Sequence, residues 1–195
     1  MNKKYIKIIN EHYSSLINKH GYNIKGLGWG KGGLKKRYQI ICKNLIIKNQ
    51  SILDFGCGLC SFYEYLCENN IQFKKYYGVE INPELRTFIK KKYKKKVSLF
   101  DKLPNKKFDI VVSNGVHNYM VKNSEKVFYD DLNNLLKISN KALMISFINN
   151  NVDYRETYLS YKDLFKTIKF IQKKNLNFII DQTLNKYETF LFVLK

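Results

Sequence analysis

Three acidic residues stand at or just after the ends of short apolar runs: Asp54 in SILDF, Glu80 at the end of YYGVE, and Asp101 after SLF. The 195 residues hold only 16 Asp and Glu against 35 Lys and Arg, so carboxylates at three successive run ends are a selective placement. Asp54 is followed by Gly56-Cys57-Gly58, where glycine lets the backbone turn sharply and approach a ligand closely. Glu80 follows these glycines at about the spacing of a carboxylate that accepts hydrogen bonds from ribose hydroxyls. Asp101 could accept from an exocyclic amine. Together the three outline a pocket for an adenosine-bearing ligand.

The loop also says which kind of ligand. A dinucleotide site wants G-x-G-x-x-G, with a helix N-terminus on the pyrophosphate. Here the run is G-C-G-L-C-S, without the third glycine, and an acid stands two residues before the first. A carboxylate there repels a pyrophosphate and suits a cation. S-adenosylmethionine carries a sulfonium and an ammonium and no phosphate, so the acids favour it over a nicotinamide dinucleotide.

The surrounding pattern supplies elements to position these groups. Ile6, Ile9, Tyr13, Leu16 and Ile17 have helical spacing over 3–19, and Gly21 stops that helix. Residues 21–33 hold six of the 10 glycines and read as a loop; 34–47 read as a second helix. From Ser51 onward, strands and helices alternate. The expected strands are 51–55, 76–80, 97–100, 108–113 and 142–148. The expected helices are 61–69, one capped by Asn82 with Pro83 at its first position, one from about Ser124, and 161–173. A terminal hairpin turns at Asn185-Lys186. Alternation of this kind means a mostly parallel sheet with crossover helices, and ligands bind at the carboxyl ends of such strands. The expected fold is a Rossmann-like, doubly wound, mostly parallel seven-stranded sheet with an antiparallel C-terminal strand. We expect one domain over 1–195, made of an N-terminal helical cap (1–48) and a cofactor-binding core (49–195).

SILDFGCGLCSFYEYL, YYGVEINPEL, SLFDKLP and FDIVVSNGVHNYM resemble, in order, the motifs of class I S-adenosylmethionine-dependent methyltransferases. The resemblance spans roughly 25–195 by strand and helix order, and it departs at Cys60, which stands at the third glycine of the first motif. It implies S-adenosylmethionine as cofactor and S-adenosylhomocysteine as product. It further implies that Asp54, Gly56, Cys57 and Gly58 cradle the methionine part and ribose, that Glu80 holds the ribose hydroxyls, and that Ile81 lies against adenine. Asp101 matches the acid that receives the adenine amine, with Lys102 and Leu103 beside it. Ser113, Asn114 and Gly115 match the segment beside the transferable methyl. Trp29 and Arg37 match an N-terminal region in which an Arg meets the cofactor carboxylate.

Methyl transfer is an in-line displacement, for which the protein chiefly holds the nucleophile in near-attack geometry and excludes water. A hydroxyl acceptor must lose a proton, and His117 is the candidate base, since histidine titrates near neutrality; the alternative is that it only shapes or packs the pocket. Tyr22, Tyr119 and Tyr13 could line the acceptor side. His12 and His20 read as surface residues.

Composition and charge bound the partner. Apolar residues make up 45%, which excludes disordered and low-complexity classes, and no apolar run reaches the roughly 20 residues of a membrane span. The N-terminus is charged and has no signal-peptide core, so a cytoplasmic location is expected. The net charge of +19 favours an anionic partner. But the cations are nearly all Lys, with Arg only at 37, 86 and 155, and Arg is the residue suited to forked phosphate and base contacts. The run after the fourth strand lacks the Pro of base-amine methyltransferases, and no Cys follows a Pro for cytosine C5 chemistry. The expected acceptor is therefore a small, anionic metabolite, phosphorylated or nucleotide-linked, methylated on O or N. An RNA acceptor that uses the lysine surface and a non-catalytic cofactor-binding protein are the alternatives. The four cysteines read as reduced thiols rather than zinc ligands, with Cys67 facing the core.

Overall fold

The computed structural model describes residues 3–30 and 32–195, without the side chains of residues 3 and 4. Met1, Asn2 and Lys31, which belong to the expected charged N-terminus and glycine-rich loop, lie outside the described residues. The chain divides into two compact units, residues 1–105 and 106–195.

In the first unit, α1 (Lys3–His20) and α2 (Gly33–Asn44) precede β1 (Ser51–Phe55), α3 (Ser61–Glu68), β2 (Lys75–Val79), α4 (Pro83–Tyr93) and β3 (Ser98–Phe100). β2 pairs parallel with both β1 and β3. Asp54 is thus level with Gly78, and Phe55 and Phe100 both with Val79. α4 starts as its sequence predicts. The Asn82 side chain accepts from the N–H groups of Glu84 (2.9 Å) and Leu85 (3.1 Å), and Pro83 sits where no N–H is needed. Its Leu85 packs with Ile17 of α1 and Leu59. The Asn82 amide donates to Ser14 Oγ at 3.3 Å, and Ser14 donates to Glu84 at 3.0 Å. These bonds dock α1 on the start of α4. Tyr38, Phe62, Tyr63 and Tyr76 form a ladder of ring contacts between the helices and β2, the kind of buried aromatic packing that carries much of a small core.

In the second unit, β4 (Phe108–Ser113) is followed by α5 (Ser124–Ile138), β5 (Ser139–Asn149), β6 (Tyr161–Lys162), α6 (Leu164–Gln172), β7 (Asn177–Asp181) and β8 (Glu188–Leu194). β5 pairs parallel with β4 and β6, and β8 runs antiparallel to both β5 and β7. α5 buries Phe128, Leu132, Leu135 and Leu136, the helical stripe read from the sequence. The fold class is the expected Rossmann-like α/β one, with the C-terminal strand antiparallel.

Several expectations are corrected. Residues 161–162 form a strand, not a first helical turn; Asp163 then caps α6 by accepting from the N–H of Lys166 at 2.8 Å. Val97 precedes β3 rather than joining it, and α2 ends at Asn44, three residues short of the expected 47. Lys25–Leu27 make one 3-10 turn inside the glycine-rich loop. Cys67 is exposed, because α3 turns Phe62 and Leu66 inward and the next residue lies about 100° around the helix. Among the described residues, no helix is long and apolar enough to cross a membrane, and no cluster of His, Cys, Asp and Glu suits a metal ion.

Candidate active site

In the first unit the carboxylates and the glycine loop converge on the ends of β1 and β2. The N–H groups of Gly56 and Cys57 both donate to the carbonyl of Val79, at 2.8 and 3.0 Å. They pin the loop to the last residue of β2. Glu80, 7% exposed, receives the N–H of Gly58 on Oε2 at 3.0 Å and that of Asn82 on Oε1 at 2.8 Å. Arg86 steadies this strand end by donating to the carbonyls of Glu80 (2.9 Å) and Ile81 (2.7 Å). Asp54, 5% exposed, accepts the hydroxyl proton of Tyr76. Burial pushes both acids up to about 7, against the opposing pull of their hydrogen bonds.

Backbone shape explains the glycines. Gly56 and Gly58 have φ of 75° and 54°, where a side chain is strained. Cys60, at the position of the departing glycine, adopts φ 59° as the residue before α3 and is fully buried. The left-handed conformation that glycine would enter without cost is therefore kept. Gly78 is a site residue that the sequence reading missed. A Cβ there would come within 2.6 Å of Cys57 Sγ, so its missing side chain is what lets the loop settle onto β2. Nothing local marks it, since a glycine inside a strand has no turn context.

The remaining candidates of this unit fall as follows. Glu80 N–H donates to the carbonyl of Phe100 at 3.0 Å, so Glu80 and Asp101 leave neighbouring strands at the same level. Asp101 and Lys102 are exposed, and Ile81 and Leu103 half-buried. The Arg37 guanidinium lies 4.5 Å from the centre of the Trp29 ring and donates to the carbonyl of Gly33 at 2.9 Å. Tyr22 stacks on Phe88 of α4 at 4.5 Å. His20 is exposed; His12 is half-buried, and burial lowers its pKa.

In the second unit the candidates cluster after β4. Ser113 is buried, and its Oγ has no hydrogen-bond partner among the described residues. Gly115, at φ 72°, donates its N–H to Ser146 Oγ at 2.9 Å, and Ser146 donates to Asn114 Oδ1 at 3.0 Å. His117 is buried, with Nε2 3.1 Å from Asp131 Oδ2 on α5 and its ring edge-on to Phe128 at 5.3 Å. A carboxylate only accepts, so Nε2 carries a proton toward Asp131. Tyr119 bridges to Leu159.

Among the described residues, the buried carboxylates of Asp54 and Glu80 accept hydrogen bonds without a lysine or arginine side chain bonded to either, since Arg86 bonds the carbonyls of Glu80 and Ile81 instead. That donor-poor set fits a ligand bearing hydroxyls and cationic charge, and so fits S-adenosylmethionine. Comparison with known proteins agrees. Residues 53–143 match the family model described as a methyltransferase domain. No curated protein matches the sequence. Among solved structures, the chain is similar to magnesium protoporphyrin IX methyltransferase (ChlM) from Synechocystis PCC 6803 with bound SAH. That match has 14% identity and a TM-score of 0.70, and it covers 97% of this chain and 99% of that one. It is similar to a DhpI-SAM-HEP complex at 6% identity and TM-score 0.63, covering 98% and 95%. It is also similar to the small RNA methyltransferase HEN1 at 16% identity and TM-score 0.61, covering 83% of this chain and 25% of that chain. The methyltransferase-domain match over 53–143 and the fold shared with these methyltransferases support an S-adenosylmethionine-dependent methyltransferase, in line with the ordered motifs.

Proposed function

We propose that the chain methylates an oxygen or nitrogen of a small, anionic acceptor, phosphorylated or nucleotide-linked. The observation that carries this reading is the buried His117–Asp131 pair at 3.1 Å. A histidine oriented by a carboxylate is the arrangement that takes a proton from a hydroxyl or ammonium as a new bond forms. Bound S-adenosylmethionine supplies an electrophilic methyl on a sulfonium. In this reading, Asp54, Gly56, Cys57 and Gly58 hold its methionine part and ribose, Glu80 accepts from the ribose hydroxyls, and Ile81 lies against adenine. Asp101, with Lys102 and Leu103 beside it, takes the adenine amine. Arg37, presented by Trp29, meets the carboxylate, and Ser113, Asn114 and Gly115 belong beside the methyl. His117 receives the acceptor's proton at Nδ1, and Asp131 fixes the ring and offsets the charge it gains. Tyr22 and Tyr119 contribute to acceptor binding. The net charge of +19 supports an anionic acceptor, because a positive surface raises the local concentration of anions.

The test is transfer of labelled methyl to a panel of small phosphorylated and carboxylated acceptors, with and without RNA. Product from a small acceptor in the absence of RNA is expected. Product only with RNA, losing affinity steeply with salt, would replace this reading with the RNA one. Tight cofactor binding with no product on any acceptor would leave a binding protein.

A further inference from the structure

Lys162 is a buried cation without an ion-pair partner among the described residues. It is the second residue of β6, 2% exposed, and it pairs in register with Asn149. It therefore stands at the carboxyl end of β5, where ligands of parallel sheets bind. Its Nζ donates to Ser160 Oγ and lies 5.6 Å from the centre of the Phe128 ring, the ring against which His117 also packs. An ammonium carries three donors, and one hydroxyl and one ring face satisfy only part of it. The carboxylate whose field reaches it, Glu125, is already paired with Lys166. Burial pushes its pKa down to about 8. A methionine would fill the same space without burying a charge, so packing does not explain a lysine here.

The surroundings are tied together by backbone bonds. The N–H of Ser160 donates to the carbonyl of Asn118 at 2.8 Å, that of Met120 donates to the carbonyl of Tyr158 at 2.8 Å, and Tyr119 bridges Leu159 between them. The segment after β4 is thereby strapped to the segment before β6. Asn118 Oδ1 inside this strap is buried and has no hydrogen-bond partner among the described residues. A buried histidine, a buried amide oxygen, a hydroxyl and an ammonium without an ion pair are thus brought to one set of strand ends.

We propose that Lys162, with Ser160, binds an anionic group of the methyl acceptor, a carboxylate or a phosphate, and so orients the acceptor toward His117. The proposal rests on the small-acceptor methyltransferase reading. The anion supplies the direct ion-pair partner that Lys162 lacks, in charge-assisted hydrogen bonds strengthened by burial.

The test titrates the full chain with inorganic phosphate and with acetate, at ionic strength held constant with chloride. Binding is followed by calorimetry and thermal melting, for the wild type, Lys162→Met and the exposed-lysine control Lys137→Met. A saturable response is expected in the wild type and in Lys137→Met, weakened at least about tenfold in Lys162→Met, the scale of one lost charge-assisted hydrogen bond. Without anion, Lys162→Met is expected to melt no lower than the wild type, since a buried unpaired charge has been removed. The tighter of the two anions identifies the group. An equal response in Lys162→Met and the wild type, or no saturable response to either anion, overturns the proposal. S-adenosylmethionine is titrated alongside: failure of the wild type to bind it would sink the methyltransferase reading while leaving the anion result standing. If Lys162→Met does not fold, Lys162→Gln carries the same comparison.

Discussion

The backbone N–H of Gly58 donates to the carboxylate of Glu80 at 3.0 Å, across 22 residues of sequence. The bond ties the glycine loop after β1 to the acid after β2, so the two motif pieces form one rigid unit. Glu80 also receives the Asn82 N–H at 2.8 Å. A carboxylate has about four acceptor sites, and with the Ile81 N–H also bearing on it, acceptor capacity still remains for a ribose hydroxyl.

Glu80→Gln should keep the side chain's shape, at the cost of turning its NH2 toward the Gly58 or the Asn82 N–H, and should weaken S-adenosylmethionine. It retains an acceptor oxygen and loses the charge, and a charge-assisted hydrogen bond contributes roughly 1.5–3 kcal/mol. Isothermal calorimetry should read a loss of about 10- to 100-fold. Affinity equal to the wild type would remove Glu80 from ribose binding.

The two buried acids make a prediction about pH. Burial raises the Asp54 carboxyl from 3.8 and the Glu80 carboxyl from 4.5 to about 7 in the folded protein. Between these limits the folded state holds more protons than the unfolded one, so these acids make stability fall as pH rises. Their contribution is complete below the unfolded values and gone above about 7. Urea denaturation of the ligand-free protein between pH 5 and 8 should show a downward slope from this pair, and Glu80→Gln should flatten it. A variant slope identical to that of the wild type would contradict the burial argument.

Gly78 and Cys57 should be energetically coupled. A Cβ at position 78 would sit 2.6 Å from Cys57 Sγ, and overpacking of this kind costs about 1–3 kcal/mol. Gly78→Ala should destabilise by that amount, and Cys57→Ala should recover much of it in the double variant. Strictly additive effects in chemical denaturation would show that the contact is not the cause.

His117 and Asp131 should act as a pair in turnover. If the acceptor loses its proton to His117, His117→Ala should slow transfer by about 10²–10⁴-fold with cofactor affinity unchanged. Asp131→Asn should slow it less. A near-wild-type rate for His117→Ala at neutral pH would reduce the ring to a packing role against Phe128.

What could be read from the sequence was local. The order of strands and helices, the Asn82 cap, the α5 stripe of Phe128, Leu132, Leu135 and Leu136, and the placement of Asp54, Glu80 and Asp101 follow from periodicity and cap chemistry. Both depend on residues a few positions apart. Tertiary structure decided which distant groups meet. Tyr76 on Asp54, Gly58 on Glu80, Gly78 beneath Cys57, Asp131 beside His117 and Lys162 over Phe128 depend on strand register and on how helices pack against strands. The short β6 and the outward turn of Cys67 were missed for the same reason: a two-residue strand has no period, and one cysteine beside a core-facing leucine has no pattern that separates inside from outside. Burial then turned these meetings into chemistry, because only the folded state removes the water that would otherwise screen two carboxylates and a lysine.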